Sequence, residues 1–285
     1  MIPADFTQYF RNIELPKSNS HKGQNGKVMV IGGSELFHAA SQWALTVVSR
    51  MVDMVFYSSV PSNNDLIQDA KKHFPNGIVI PRNEIESYIE EADVVLIGPG
   101  MERTQETEDL TNSLLKKYAD KKWVIDAGAL QMIDPKLLKA NHIITPHPGE
   151  FERVAKKIEK EFESEKWRQE IFLQNPMSNY QLPITISSTV LLKGPTDLVF
   201  NAKQQKKVTA GNEGMTKGGT GDVLAGLVAG LYCFTDDPFS AAIVGSYINK
   251  KAGDELYKKV GPFFNATDLA NQIPQTLANT FEYTS

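Results

Sequence analysis

The segment Gly211-Asn212-Glu213-Gly214-Met215-Thr216-Lys217-Gly218-Gly219-Thr220-Gly221-Asp222 runs straight into an apolar helical stretch, Val223 to Phe234. Between Lys217 and Asp222 stand three glycines and one carboxylate. Glycines, lacking Cβ, let successive backbone N–H groups converge on one point, and a helix opening there adds its positive end. Such a nest holds an anion, most often a phosphate. A carboxylate beside it repels that ligand, so binding alone does not account for Asp222. A base that takes the proton of a hydroxyl next to the phosphate does. The same residues also suit a plain Gly-rich turn, with Asp222 as a first-turn acid favoured by the helix dipole.

Four further residues could do chemistry. Lys193 closes the short strand Thr189–Leu192, where it can meet a nucleotide phosphate as a point charge or stand solvated. His147 lies between Pro146 and Pro148, in a stiff turn. Asp126, after Trp123-Val124-Ile125, suits a metal-bound water or a turn cap, and Glu150 suits the first turn of a helix. Other chemistries are excluded by spacing. Lys217 precedes the glycines, so the P-loop order fails. Gly32-Gly33-Ser34 lacks the third glycine of a dinucleotide fingerprint, and Ser34 is not in a nucleophile elbow. No Cys/His set has zinc spacing, so no protein-held metal is expected.

These residues need elements to position them. Strands are expected at Lys27–Ile31, Val55–Val60, Ile78–Ile80, Val94–Ile97, Trp123–Ile125, Ile143–Ile144 and Thr189–Leu192. Helices are expected at His38–Val52, Asp65–His73 (capped by Asn63 or Asn64), Glu84–Glu91 and Glu106–Tyr118. The charged stretch Lys157–Gln174 reads as a helix and Asn175–Pro183 as a loop. A hairpin across Asn201 to Gln205 follows, placed to cover a base, then helices at Pro238–Tyr257 and Asn265–Leu277. The alternation predicts an α/β fold with a mostly parallel sheet. Ligands of such sheets sit beyond the carboxyl ends of the strands. The turns after Ile31, Ile97, Ile125 and Ile144 all fall on that edge.

With 285 residues, 41% apolar and 22% charged, the chain reads as one globular domain. Residues 1–20 form a lead-in, and Met1–Asn19 holds neither a secretory signal nor an apolar core segment. A net charge of −4 gives no basic field for nucleic acid or an anionic membrane, so anionic ligands must be met by local donors. The single cysteine, Cys233, stands in an apolar run and reads as a packing residue; a reducing compartment, the cytoplasm, is expected.

The set Lys27–Ser34 (KVMVIGGS), Gly98-Pro99-Gly100, Asp126-Ala127-Gly128-Ala129-Leu130, Thr145-Pro146-His147-Pro148-Gly149-Glu150-Phe151, Leu192-Lys193-Gly194 and Gly214–Gly226 (GMTKGGTGDVLAG) resembles the ADP/ATP-dependent NAD(P)H-hydrate dehydratases of the ribokinase-like superfamily. The resemblance runs in order from about His21 to the C-terminus. Gly-Thr-Gly-Asp alone is shared with many ribokinase-like kinases; the Thr-Pro-His-Pro-Gly-Glu segment is far more specific. It implies a three-layer α/β/α sandwich and a carbon–oxygen lyase that repairs (6S)-NADHX and (6S)-NADPHX. ADP or ATP, with Mg²⁺, phosphorylates the 6-hydroxyl, and loss of phosphate restores the ring. By resemblance Asp222 is the catalytic base. Ala40, Gly100, His147 and Asp222 contact the hydrate. Lys193, Gly194, Pro195, Thr196, Asp197 and Gly221 hold the nucleotide, and Gly218, Gly219, Thr220 and Gly221 form the anion hole. A homo-oligomer, a tetramer, is expected, with no epimerase domain ahead of the first strand. The chain departs from the family pattern at Ala39-Ala40, at Arg50-Met51-Val52-Asp53 and at Met215-Thr216-Lys217. The alternative is a ribokinase-like kinase of the hydroxymethylpyrimidine or hydroxyethylthiazole type, which releases a stable phosphoester.

Overall fold

The computed structural model describes residues 2–61, 76–161 and 187–281. The expected helix Asp65–His73 with its Asn63 or Asn64 cap, the loop Asn175–Pro183 and most of the charged stretch Lys157–Gln174 lie outside the described residues.

Among the described residues, apolar strands build a nine-stranded sheet in the order β3-β2-β1-β4-β5-β6-β7-β8-β9. Its members are β1 (Lys27–Ile31), β2 (Met54–Ser58), β3 (Ile78–Val79), β4 (Val94–Ile97), β5 (Lys122–Ile125), β6 (His142–Ile144), β7 (Thr189–Leu192), β8 (Thr196–Phe200) and β9 (Gln205–Thr209). The pairs from β3 to β7 are parallel and the β7-β8-β9 pairs antiparallel. The expected hairpin is therefore β8–β9, and β8 begins at Thr196, taking Thr196 and Asp197 out of the loop that follows Lys193.

The near-continuous apolar runs of the central strands mark a sheet buried on both faces. Val28, Val30, Leu96 and Val124 point to one core, Met29, Ile31, Ile97 and Ile125 to the other, as alternation along a strand requires. On the first face lie α1 (Thr7–Arg11), α2 (His38–Val48), α7 (Thr220–Tyr232), α8 (Pro238–Val260) and α9 (Ala266–Thr280). On the second lie α3 (Ile85–Glu91), α4 (Gln105–Lys117), α5 (Ala127–Met132) and α6 (Pro148–Glu161). The fold is thus α/β with three layers.

Two expectations are corrected. Residues 1–19 do carry core: Phe6, Phe10 and Ile13 are buried, with the Phe10 ring 5.2 Å from that of Phe281. Their spacing is that of one helical stripe, too short to stand out in a window of polar residues. Helix α7 starts at Thr220 instead of Val223, so Asp222 sits inside its first turn. The small residues of α7 and α8 are packed within the chain: a Cβ on Gly226 would stand 2.6 Å from the Ala44 carbonyl oxygen, and one on Gly245 2.6 Å from Val228 Cγ2. Among the described residues no helix is long and apolar enough to cross a membrane.

Candidate active site

Strand β1 has β2 on one side and β4 on the other, so the chain reverses direction across the sheet there. Turns leaving such neighbours part to opposite faces and open a crevice. At this point the two glycine turns touch: Gly33 N–H donates to the Pro99 carbonyl at 2.7 Å. Gly100, at φ +74, lies so close that a Cβ would stand 2.4 Å from the Phe37 carbonyl oxygen.

Helix α7 brings its first turn over this crevice. Gly219 caps it at φ +93, with Trp43 of α2 directly beneath: an added Cβ would lie 2.4 Å from the indole ring. We expect Gly219→Ala to lose about 1–3 kcal/mol of stability and most turnover, checked by thermal unfolding and by activity of the folded fraction. Thr220 Oγ1 donates to the Met215 and Lys217 carbonyls at 2.7 and 2.9 Å, fixing the loop that precedes it. The first i→i−4 bond of the helix is Val223 N–H to Gly219, which leaves Gly221 N–H ahead of it, at the positive end.

Asp222, half-buried, receives no side-chain hydrogen bond from any described residue. Its carboxyl pKa is pushed up to about 7, first by burial and then by the charge of Asp126, with Lys193 pulling the other way. Asp126 is buried at the end of β5 and accepts from Lys193 Nζ at 2.9 Å. Through this bond Asp126 anchors Lys193. The turn after it is made by Ala127, a non-glycine residue at φ 44. The Lys193 ammonium is held above its ordinary pKa; burial opposes this, but Asp126 and Glu150 outweigh it. A Cβ on Gly221 would stand 3.2 Å from Lys193 Nζ, so this cation and the helix N-terminus converge.

Glu150 is more than a first-turn acid. It is buried, accepts from the His147 N–H at 2.9 Å and from Gln131 Nε2 at 3.1 Å, and lies 4.0 Å from Lys193 Nζ. Gln131 Oε1 in turn receives Arg153 Nη1. The His147 ring accepts from Gly149 N–H at its Nδ1, 3.1 Å away, which places its proton on Nε2. Lys193 N–H closes the arrangement by donating to the Pro146 carbonyl at 2.8 Å.

Two cavities meet at the α7 N-terminus. One, of about 620 Å³, is lined by Ala40, Gly100, His147 and Asp222, the four residues assigned to one ligand from sequence, together with Arg103 and Arg153. The other, of about 530 Å³, is lined by Lys193, Gly194, Pro195, Asp197, Thr220 and Gly221 from the sequence-assigned set. Thr196, Gly218 and Gly219 line neither. The Asp197 carboxylate is engaged inside the fold: it accepts from Gly194 N–H at 2.9 Å and Ser246 Oγ at 2.7 Å, and lies 3.2 Å from Lys250 Nζ. Lys250 also donates to the Gly194 and Pro195 carbonyls, so α8 fixes the 193–197 turn. Sequence reading missed Ser246, Asn249 and Lys250. The available signal was polar residues at helical spacing on an otherwise apolar helix.

The departures at 50–53 sit at the far end of α2. Arg50 donates to the Ala270 carbonyl and to Asn271 Oδ1, and Asp53 accepts from the Gly23 and Asn25 backbones. They staple the fold and do not line either cavity.

A family model described as NAD(P)H-hydrate dehydratase matches residues 28–275. The chain belongs to the NAD(P)H-hydrate dehydratase family. It is 37% identical over 267 residues to the bifunctional NAD(P)H-hydrate repair enzyme of Methanocaldococcus jannaschii, covering 91% of this chain and 50% of that protein. It is 33% identical over 275 residues to the ADP-dependent (S)-NAD(P)H-hydrate dehydratase of Nitrosopumilus maritimus, covering 90% of each. The chain thus spans about half the length of the bifunctional relatives it matches. A ribokinase-like superfamily protein from Enterococcus faecalis shares the fold, with a TM-score of 0.77 at 24% identity, covering 96% of this chain and 94% of that one. Within the family region fall both cavities and every residue of the Asp126–Lys193–Glu150 cluster.

Proposed function

We propose that this member of the dehydratase family restores NADH and NADPH from their 6-hydroxylated hydrates at the expense of an adenine nucleotide. The observation that carries the reading is the position of Asp222. It lines the 620 Å³ cleft, while Gly221, the next residue back, lines the 530 Å³ cavity. A nucleotide in the second cavity and a hydrate in the first would meet across the helix N-terminus.

The terminal phosphoryl group sits against Gly221 N–H and Lys193, with the Gly218–Gly221 backbone taking the charge that develops in transfer. Asp222 removes the proton of the 6-hydroxyl as its oxygen bonds to the terminal phosphorus and the bridging P–O bond to the nucleotide breaks, releasing AMP from ADP or ADP from ATP. The C6–O bond then breaks as phosphate leaves with its bonding pair, the neighbouring ring carbon gives up a proton to solvent, and that C–H pair becomes the double bond of the restored dihydronicotinamide. Ala40 and Gly100 wall the hydrate cleft, packed against one another, and His147, its Nε2 3.6 Å from Glu150 Oε1, lines it too. Asp197 and Thr196 shape the nucleotide turn from behind. Magnesium fits as an ion borne on the nucleotide phosphates: the nearby donors, Asp126 and Glu150, are hard carboxylate oxygens, and no cluster of three or more His, Cys, Asp or Glu occurs among the described residues. When bound it would offset phosphate charge. Assembly as a homo-oligomer, a tetramer, and residence in the cytoplasm belong to the same proposal.

A base whose carboxyl titrates near 7 works only above that pH. At saturating nucleotide, kcat/KM for the hydrate is expected to climb as pH rises through about 7 and to level off beyond. A profile without a limb in that region would remove Asp222 from the role.

A further inference from the structure

The 530 Å³ cavity holds one polar side chain that the fold leaves without a partner. Asn249 on α8 is 5% exposed, lines the cavity, and its Oδ1 is buried with no hydrogen bond. Its neighbours on the helix are spoken for: Ser246 donates to Asp197, and Lys250 to the 193–197 turn. An orphaned buried amide costs about 1–3 kcal/mol, so a fold that retains one gains nothing from it in the empty state. The terminal torsion of asparagine is soft and two-fold. A rotation about it turns the amide plane, so that Oδ1 and Nδ2 can face the cavity together.

The cavity also has a direction. Gly221 and Lys193 mark the phosphate end. Leu224 lies one helical turn further along the same face of α7 and lines the same cavity, with Met215 and Ala210 supplying more apolar wall. A nucleotide with its terminal phosphate at Gly221 therefore lays its base between Leu224, Met215 and Asn249.

We propose that Asn249 is the base-reading residue of this nucleotide site, its amide paired with the adenine N6 amino group and N7. An asparagine amide matches adenine in this way, accepting from N6 and donating to N7, and mismatches a purine that carries an oxygen at position 6. The inference rests on the proposed function, in that the cavity is taken as the nucleotide's.

The test is direct calorimetry on the full chain with ADP and with inosine diphosphate, which carries an oxygen where adenine carries its amino group. Wild-type protein binds ADP at least tenfold tighter than inosine diphosphate. Asn249→Leu weakens ADP about tenfold to a hundredfold, and the ratio between the two ligands collapses toward one. The Leu variant also unfolds at a higher temperature than wild type without ligand, because an orphaned polar group has gone. Asn249→Ala gives the same loss of preference should the Leu variant not fold. If wild-type protein binds ADP and either variant keeps the ADP preference, the base-reading role is overturned and the proposed function stands. If wild-type protein binds neither these diphosphates nor ATP, both are overturned.

Discussion

Asp222→Asn is expected to keep its affinity for ADP or ATP and to lose about two to four orders of magnitude in turnover, the usual worth of a positioned general base. The substitution preserves shape and removes only the ability to take a proton. Nucleotide contacts survive because the 530 Å³ cavity is lined by Gly221 and Lys193 and not by Asp222. Titration calorimetry with nucleotide and single-turnover kinetics with hydrate check the two halves separately. A stability signature accompanies the loss. The folded-state pKa of Asp222 is raised to about 7 from an ordinary 3.8, so its contribution to folding is full at low pH and is lost as pH rises through about 7. Asparagine does not titrate. The variant is therefore expected to gain thermal stability over wild type at pH 8 and little at pH 4. Equal melting temperatures at both would show that the carboxylate is not strained by its surroundings.

Lys193→Met is the second large effect. It leaves Asp126 and Glu150 buried without their shared cation, and breaking one side of a buried charge cluster costs about 3–5 kcal/mol. It also removes the charge that pulls the pKa of Asp222 down. The expected results are a markedly lower melting temperature, weakened nucleotide binding, and a pH limb of residual turnover displaced above 7. Lys193→Arg separates the roles: it keeps the charge, and so the limb, but cannot reproduce the geometry of a compact ammonium beside Gly221. A limb left in place in Lys193→Met would mean that Lys193 and Asp222 do not sense one another.

The four residues assigned to the hydrate from sequence line one cleft in the structure. They were legible through the family resemblance, which rests on residue patterns around the turns after β1, β4 and β6 and at the start of α7. Gly98–Gly100 and Pro146–Pro148 carry that information locally. Lys250 and Asn249 carry locally only the sign of polar residues at helical spacing: their meaning comes from packing against the 193–197 turn, more than fifty residues earlier. Glu150 was legible as a helix-opening acid, but its link through Gln131 to Arg153 requires α5 and α6 to lie side by side. Helix α1 was missed because the stripe of Phe6, Phe10 and Ile13 is too short to make a pattern until α8 and α9 give it a surface.

The central claim is that phosphorylation at this site ends in elimination. It is tested most directly by incubating the protein with NADHX, Mg²⁺ and ADP or ATP while following dihydronicotinamide absorbance and free phosphate together. The account requires absorbance to recover with one phosphate released per ring restored. A stable phosphorylated product with no recovery of absorbance would contradict it and make the protein a kinase.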